Sequence, residues 1–445
     1  MYMQDLEQQL DSFNAQERKS ALAKLINKCN LGEIRLNQTG NYVNVHIHTF
    51  YGYNAYGYSP SKAAWLARKH GLAVAGIIDF DVLDGLNEFL EAAKSTHIKA
   101  CVGIETRVYV PEYADKEINS PGEPGIAYHI GIGIPRVPVQ SHMCEFLKRL
   151  KQMSQQRNIE LAGRVNKFLE PAAIDFNADV LPLTPNGNPT ERHLCLAYAI
   201  KAEKIFNDND KLAQFWTQKL GCSADTIDLP HGPKLLGEIR KKTMKKGSVG
   251  YVQPDKGSFP AMAEVNRFIL EAGGIPALCW LDGISEGEKE EEKLLEVAMS
   301  SGVRAFSVIP NPVYTPHDPK KKLENLYKVI KLVGSMGLPI ISGTEMNNLG
   351  QKIVDDFEFK ELSALAPVFL KGGHIFYAHS VAQREANLGY TSTWAEQAFG
   401  SVTDKNRFFE KLGQMLNPEN ESRLSNLQSN PKPSEILAAL EVNSV

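Results

Sequence analysis

The sequence predicts an α/β fold: a distorted parallel (β/α)7-like barrel interrupted by a helical insertion. Three observations predict it. From Tyr42 onward, short apolar runs alternate with amphipathic helical stretches. The same rhythm returns after about residue 251, and between the two stretches, over about 155–250, it breaks down. Strands separated by helices imply a parallel sheet, because a parallel partner requires a crossover.

The elements follow in order. "NYVNVHIHT" reads as the first strand and "SPSKAAWLARKHG" as the helix after it, with Ser59 as N-cap, Pro60 at the first helical position and Gly71 as the stop. "LAVAGIID" is continuously apolar, as a strand covered on both faces is. Helix "LDGLNEFLEAAKS" and strand "IKACVGIETRVYV" complete the opening β-α-β-α-β run. Later, "AMAEVNRFILEAGG" leads into strand "IPALCWL", "EEKLLEVAMSSG" into "VRAFSVI", and "KKLENLYKVIKLVGSMG" into "LPIISGTE". "GGHIFYAH" reads as one more strand. The expected organisation is a helical extension over 1–41, a barrel built from 42–154 and 251–385, a helical cap over 155–250, and a helical tail over 386–445. The cap closes on the basic run "EIRKKTMKKG", read as a solvated helix face, and the segment "NPENESRLSNLQSNPKPS" near the end reads as mobile.

Composition excludes some classes and leaves others open. Of 445 residues, 43% are hydrophobic and 23% charged, which is ordinary for a globular protein. A net charge of −3 gives no support to a nucleic-acid partner or an anionic membrane surface. The first residues lack the basic-then-apolar pattern of a signal peptide, and no apolar run reaches bilayer length. Six scattered cysteines with no CxxC pair suit reduced thiols, so the expected location is the cytoplasm.

Candidate chemistry gathers at the strand ends. His46 and His48 are two apart, so on a strand both side chains point to the same face. In a parallel barrel, reactive groups sit where strands end. Asp79 and Asp81 end the second strand, Glu105 the third, and Glu345 follows the last of the late strands. Imidazoles and carboxylates on one rim can share a divalent ion. The tyrosine-rich loop "FYGYNAYGYSP" after the histidines either stacks on a ligand or packs the barrel mouth.

The order of these motifs resembles the polymerase and histidinol phosphatase (PHP) family, in particular its stand-alone phosphoesterases. "VHIHT" stands for the family's HxH, "AGIIDFD" for its "LAITDHD", "VGIE" for its glutamate motif, "AGGIPALCWL" for "AGGVAVLAHP" and "GTEMN" for "GSDxH". "YVQP" and "ERHLCLA" resemble that group's insertion, and the likeness runs from Tyr42 to about Leu349. The resemblance implies one to three divalent ions (zinc, manganese or iron). A first site would use His46, His48, Glu105 and Glu345, and another Glu105, His129 and Cys279. The remaining site departs from the family pattern, because Phe80 and Asn347 occupy histidine positions. It would be lost or rebuilt from Asp79, Asp81 or Asn54.

The implied activity is hydrolysis of a phosphate ester on a small molecule, nucleotide or nucleic-acid end. Glu105, Asp79 and Arg107 are then the candidate catalytic residues, with Arg107 either holding phosphate or forming a rim salt bridge. Lys256 and Arg192 are further candidate phosphate contacts, and His374 and His379 flank "IFYA" as rim or structural histidines. The competing expectation is a catalytically degenerate PHP-like module that binds one ion or a ligand without turnover. GxSxG and a strand-following GxGxxG are absent.

Overall fold

A computed structural model describes residues 3–315 and 318–441. Helices α1 (Met3–Gln9) and α2 (Ala15–Asn30) precede strand β1 (Val43–Ile47), helix α3 (Pro60–His70), β2 (Val74–Phe80), α4 (Leu86–Ser95) and β3 (Lys99–Tyr109). Next come β4 (Ile126–Ile132), the long helix α5 (Ser141–Leu169), and α6 (Glu191–Ile205), α7 (Asn209–Leu220) and α8 (Pro233–Thr243). The barrel resumes with α9 (Met262–Glu271), β5 (Ile275–Trp280), α10 (Glu286–Lys289), α11 (Glu291–Ser300), β6 (Ala305–Val308), α12 (Pro319–Ser335) and β7 (Ile340–Ser342). Helices α13 (Lys360–Ser363), α14 (Ala366–Ala386), α15 (Thr393–Ala398), α16 (Val402–Met415) and α17 (Pro433–Glu441) follow.

The seven strands form one sheet in sequence order, β1 to β7. Six run one way. β4 is the exception, pairing antiparallel with both β3 and β5. The sheet curls until β1 and the end of β7 meet through a parallel bridge between Ile47 and Glu345. Two backbone hydrogen bonds hold that closure: Glu345 N–H donates to His46 O, and His48 N–H donates to Glu345 O, each at 2.8 Å. Gly343 makes the approach possible, because a Cβ there would stand 2.4 Å from Cβ of His46. The expected barrel is therefore present, nearly closed and largely parallel.

"GGHIFYAH" is not a strand. It lies within α14, which packs against β1, β2, β3 and β7 and closes the end of the barrel where the parallel strands begin. An eight-residue apolar run does not distinguish a buried strand from a buried helix. The glycines are what let this helix in: a Cβ on Gly372 would lie 2.0 Å from the carbonyl oxygen of Ile340.

The stretch without strands has its own apolar cluster, running from Leu161 and Val165 through Tyr198 and Trp216 to Met244. Its first helix, α5, starts at Ser141 and so runs continuously from the barrel into the insertion. The segment near the end that reads as mobile is anchored at its first half: Leu424 is buried, and Glu421 accepts from Arg384 at 2.6 Å and from Tyr377 at 2.7 Å.

Candidate metal centre

His46, His48, Glu105 and Glu345 lie together at the rim, with Glu105 inside β3 rather than at its end. His46 and His48 are both buried at the end of β1. One carboxylate oxygen of Glu105, Oε2, stands 3.2 Å from His46 Nε2 and 3.3 Å from His48 Nε2. The first is a hydrogen bond, and both are ion pairs when the imidazoles are protonated. Glu345 approaches from the other side of the barrel seam. Its carboxylate and the two imidazoles each offer a donor atom within 4.8 Å of the others, the one such group among the described residues. Glu105 lies outside that set of three, so the histidine pair is shared by two carboxylates.

Two observations favour a cation here. His46 Nδ1 and both ring nitrogens of His48 are buried without a hydrogen-bond partner, as is one ring nitrogen each of His129, His374 and His379, and it is the converging carboxylates that set the first pair apart. The electrostatics agree. Burial alone raises the Glu105 carboxyl, but the His46 and His48 imidazoles outweigh it and hold it well below the ordinary range. Burial alone lowers the His48 imidazole, and Glu105, Glu345 and Asp79 together raise it. Negative charge is thus concentrated around the imidazoles. His46, His48 and Glu345 could together hold a divalent ion, with Glu105 hydrogen-bonded beside them.

The backbone marks the same place. Asp81, Glu345 and Met346 all adopt φ near +60°, a region that non-glycine residues rarely occupy, so the loops at this rim are held in a costly conformation.

Other candidates fare differently. Asp79 is buried, but both of its oxygens are already engaged. Oδ1 accepts from the Thr49 and Gly52 amides at 2.6 and 3.2 Å, and Oδ2 from the Thr49 hydroxyl at 2.6 Å. It fastens the loop after His48. Asn54 does the same, donating to His48 O at 2.8 Å. Asp81 accepts from Thr106 Oγ1 at 2.6 Å and stands 4.0 Å from Arg157. Phe80 stacks on His48 with ring centroids 4.3 Å apart, clamping the imidazole where the family pattern has a ligand.

The expectation for His129 is corrected. Glu105 and Arg107 line the cavity, and their register partners on β4 are Ile130 and Tyr128. Because side chains alternate across a sheet, His129 points the other way, and its Nε2 meets Oδ1 of Asn266 on α9 at 2.5 Å. Cys279 does line the cavity. Burial, then the negative charge of Glu105, Glu345 and Glu288, raises its thiol well above the ordinary value, so on its own it is a neutral thiol.

The centre opens into a cavity of about 520 Å³ between the barrel rim and the insertion. Basic and acidic groups share its lining: Arg107 from β3, Arg157 and Arg164 from α5, Arg192 from α6, and Arg240 and Lys245 at the end of the insertion, with Asp81, Glu123, Glu160 and Glu191 among them. Arg107 forms the expected salt bridge, 2.7 Å to Glu123, and its guanidinium lies 4.3 Å from the Phe259 ring centroid, with Arg157 at 4.4 Å from the same ring. The reading of "EIRKKTMKKG" as a solvated face is corrected for two of its residues. Arg240 and Lys245 turn inward onto Glu191, at 2.9 and 2.6 Å. Lys256 is exposed and takes no part in the lining. Tyrosines of the loop after His48 pack more than they line: Tyr56 stacks on Tyr58, whereas Tyr53 faces the cavity beneath Arg192. Sequence reading missed Arg157, Arg240, Lys245, Glu191 and Phe259, which only tertiary packing brings to the site.

No family model and no curated protein matches the chain. Among solved structures it is similar to an amidohydrolase from Chromobacterium violaceum with bound sulfate and no metal, at 18% identity over 73% of this chain and 96% of that one, TM-score 0.47. It is also similar to a protein from Bifidobacterium adolescentis provisionally named a metal-dependent phosphoesterase, at 16% identity over 74% and 97%, TM-score 0.47. At such values the likeness carries no argument about activity.

Proposed function

We propose that this protein is a metal-dependent hydrolase of phosphate esters, acting on a phosphorylated small molecule, a nucleotide or a nucleic-acid end. The observation that carries the reading is the convergence of donor atoms from His46, His48 and Glu345 within 4.8 Å of one another, beside a cavity whose lining includes Arg157 and Arg192. His46, His48, Glu105 and Glu345 would hold the ion. When bound, it would supply Lewis-acid polarisation of a phosphoryl oxygen and lower the pKa of water. The chain's own residues do the rest. Arg157 and Arg192 present donors that match phosphate oxygens, Arg107 being held by Glu123, and the enclosing insertion limits solvent around the reacting group.

A screen of phosphomonoesters and phosphodiesters, run with added zinc, manganese or iron, tests this. Turnover that disappears in His48→Gln is the expected result. Absence of turnover with every ester and ion, in a protein that binds metal, contradicts it.

That second outcome belongs to the competing reading, a one-ion module that binds an anionic ligand without turnover. Phe80 favours it: its ring fills the space beside His48, and with His129 turned away the described residues offer a single converging donor group.

A further inference from the structure

The late loop carries a feature that the proposed hydrolysis does not require. Arg192 on α6 donates to Asn348 Oδ1 at 2.7 Å; Asn348 Nδ2 donates to Asn347 Oδ1 at 2.8 Å; Asn347 Nδ2 donates to Glu345 Oε2 at 2.7 Å. The three bonds run in one direction, from a guanidinium on the insertion to a carboxylate at the barrel seam. All four residues line the cavity.

The direction follows from the ends of the chain. A guanidinium has donors only, so Asn348 must turn its oxygen toward Arg192 and its NH2 toward Asn347. Asn347 must then turn its oxygen to Asn348 and its NH2 to Glu345. An ionised carboxylate accepts only, so the far end agrees with the near end. Reversing either amide would set two oxygens against each other. Arg192 has no carboxylate partner among the described ion pairs; besides Asn348 it lies over the Tyr53 ring, 5.2 Å from the centroid. The loop backbone has separate supports. Asn348 N–H donates to Gln351 Oε1, Gly350 N–H donates to the Tyr56 hydroxyl, and that hydroxyl donates to Gln351 O.

We propose that Arg192, Asn348 and Asn347 form a polarised relay in which Arg192 is a positioning residue for Glu345. The relay delivers an N–H to one oxygen of Glu345 and leaves the other for the ion, which ties Arg192 on the insertion to the ion-holding group. The inference rests on the metal reading of that group. Outer hydrogen-bond partners of this kind typically change metal affinity by roughly 10-fold or more when lost.

The test is a competition titration with zinc alone on the full chain. Asn348→Asp can still accept from Arg192, now as an ion pair, but cannot donate to Asn347. Arg192→Lys keeps a donor-only group at the outer end. The expected result is a zinc affinity about 10-fold weaker in Asn348→Asp, with metal-free thermal stability kept, and within about threefold of the parent protein in Arg192→Lys. Asn348→Asp binding zinc as tightly as the parent overturns the relay alone. A parent protein that binds no zinc, manganese or iron overturns the metal reading, and the relay with it.

Discussion

The two ends of this barrel each bury a pair of histidines, and they treat them in opposite ways. At the rim, His46 and His48 face Glu105 and Glu345, and His48 is raised because those carboxylates outweigh its burial. At the closed end, His374 and His379 sit on α14 among packed glycines and apolar side chains. Burial pushes both down to about 4, and no carboxylate is among the groups that shift them. His379 Nδ1 accepts from the Tyr390 amide at 2.9 Å, a structural bond. Burial alone therefore does not mark a functional histidine. Ring nitrogens without a hydrogen-bond partner occur at both ends; what separates them is the company of carboxylates beside a cavity.

The contrast can be broken from the closed end first. Gly372→Val places branched carbon against the Ile340 carbonyl and should destabilise the fold by about 3 kcal/mol in a denaturant titration. The ion stoichiometry of the protein that remains folded should not change.

At the rim, Glu191 gives a pH test. Burial alone raises its carboxyl, but Lys245 and Arg240 outweigh that and hold it at about 2, against an ordinary 4.5. A depressed carboxyl stabilises the fold above its unfolded value, and that contribution is lost as pH falls from about 4.5 toward 2. The shift corresponds to at most about 3 kcal/mol, reduced by solvent screening because the side chain is 24% exposed. Glu191→Gln should flatten the dependence of Tm on pH in that window.

His379→Phe leaves the Tyr390 amide without its acceptor and should cost about 2 kcal/mol with metal affinity unchanged. Phe80→Leu is the smallest change. It removes the ring stacked on His48 and should cost about 1 kcal/mol, leaving ion stoichiometry intact.

These differences also show what a sequence can and cannot reveal. His46 and His48 were legible because a two-residue spacing on a strand fixes a shared face. Glu345 was legible as a carboxylate after a barrel strand, whereas Glu105 lies inside β3, which runs on to Tyr109. His129 was not legible, because its face depends on how the reversed strand β4 registers with β3. α14 was misread because its apolar run lacks a period that separates helix from strand. Arg240 and Lys245 belong to a run with exposed lysines on either side, and only the fold of the insertion decides which of them turn inward onto Glu191.

The most direct measurement is the metal content of protein purified without chelator or a nickel column, for the parent chain and for His46→Ala combined with Glu105→Ala. Close to one equivalent of zinc, manganese or iron per chain, lost in the double variant while its fold is kept, is the predicted result. Less than about 0.2 equivalents in the parent, still unchanged after those ions are added in excess, would contradict an ion-holding role for the four rim residues.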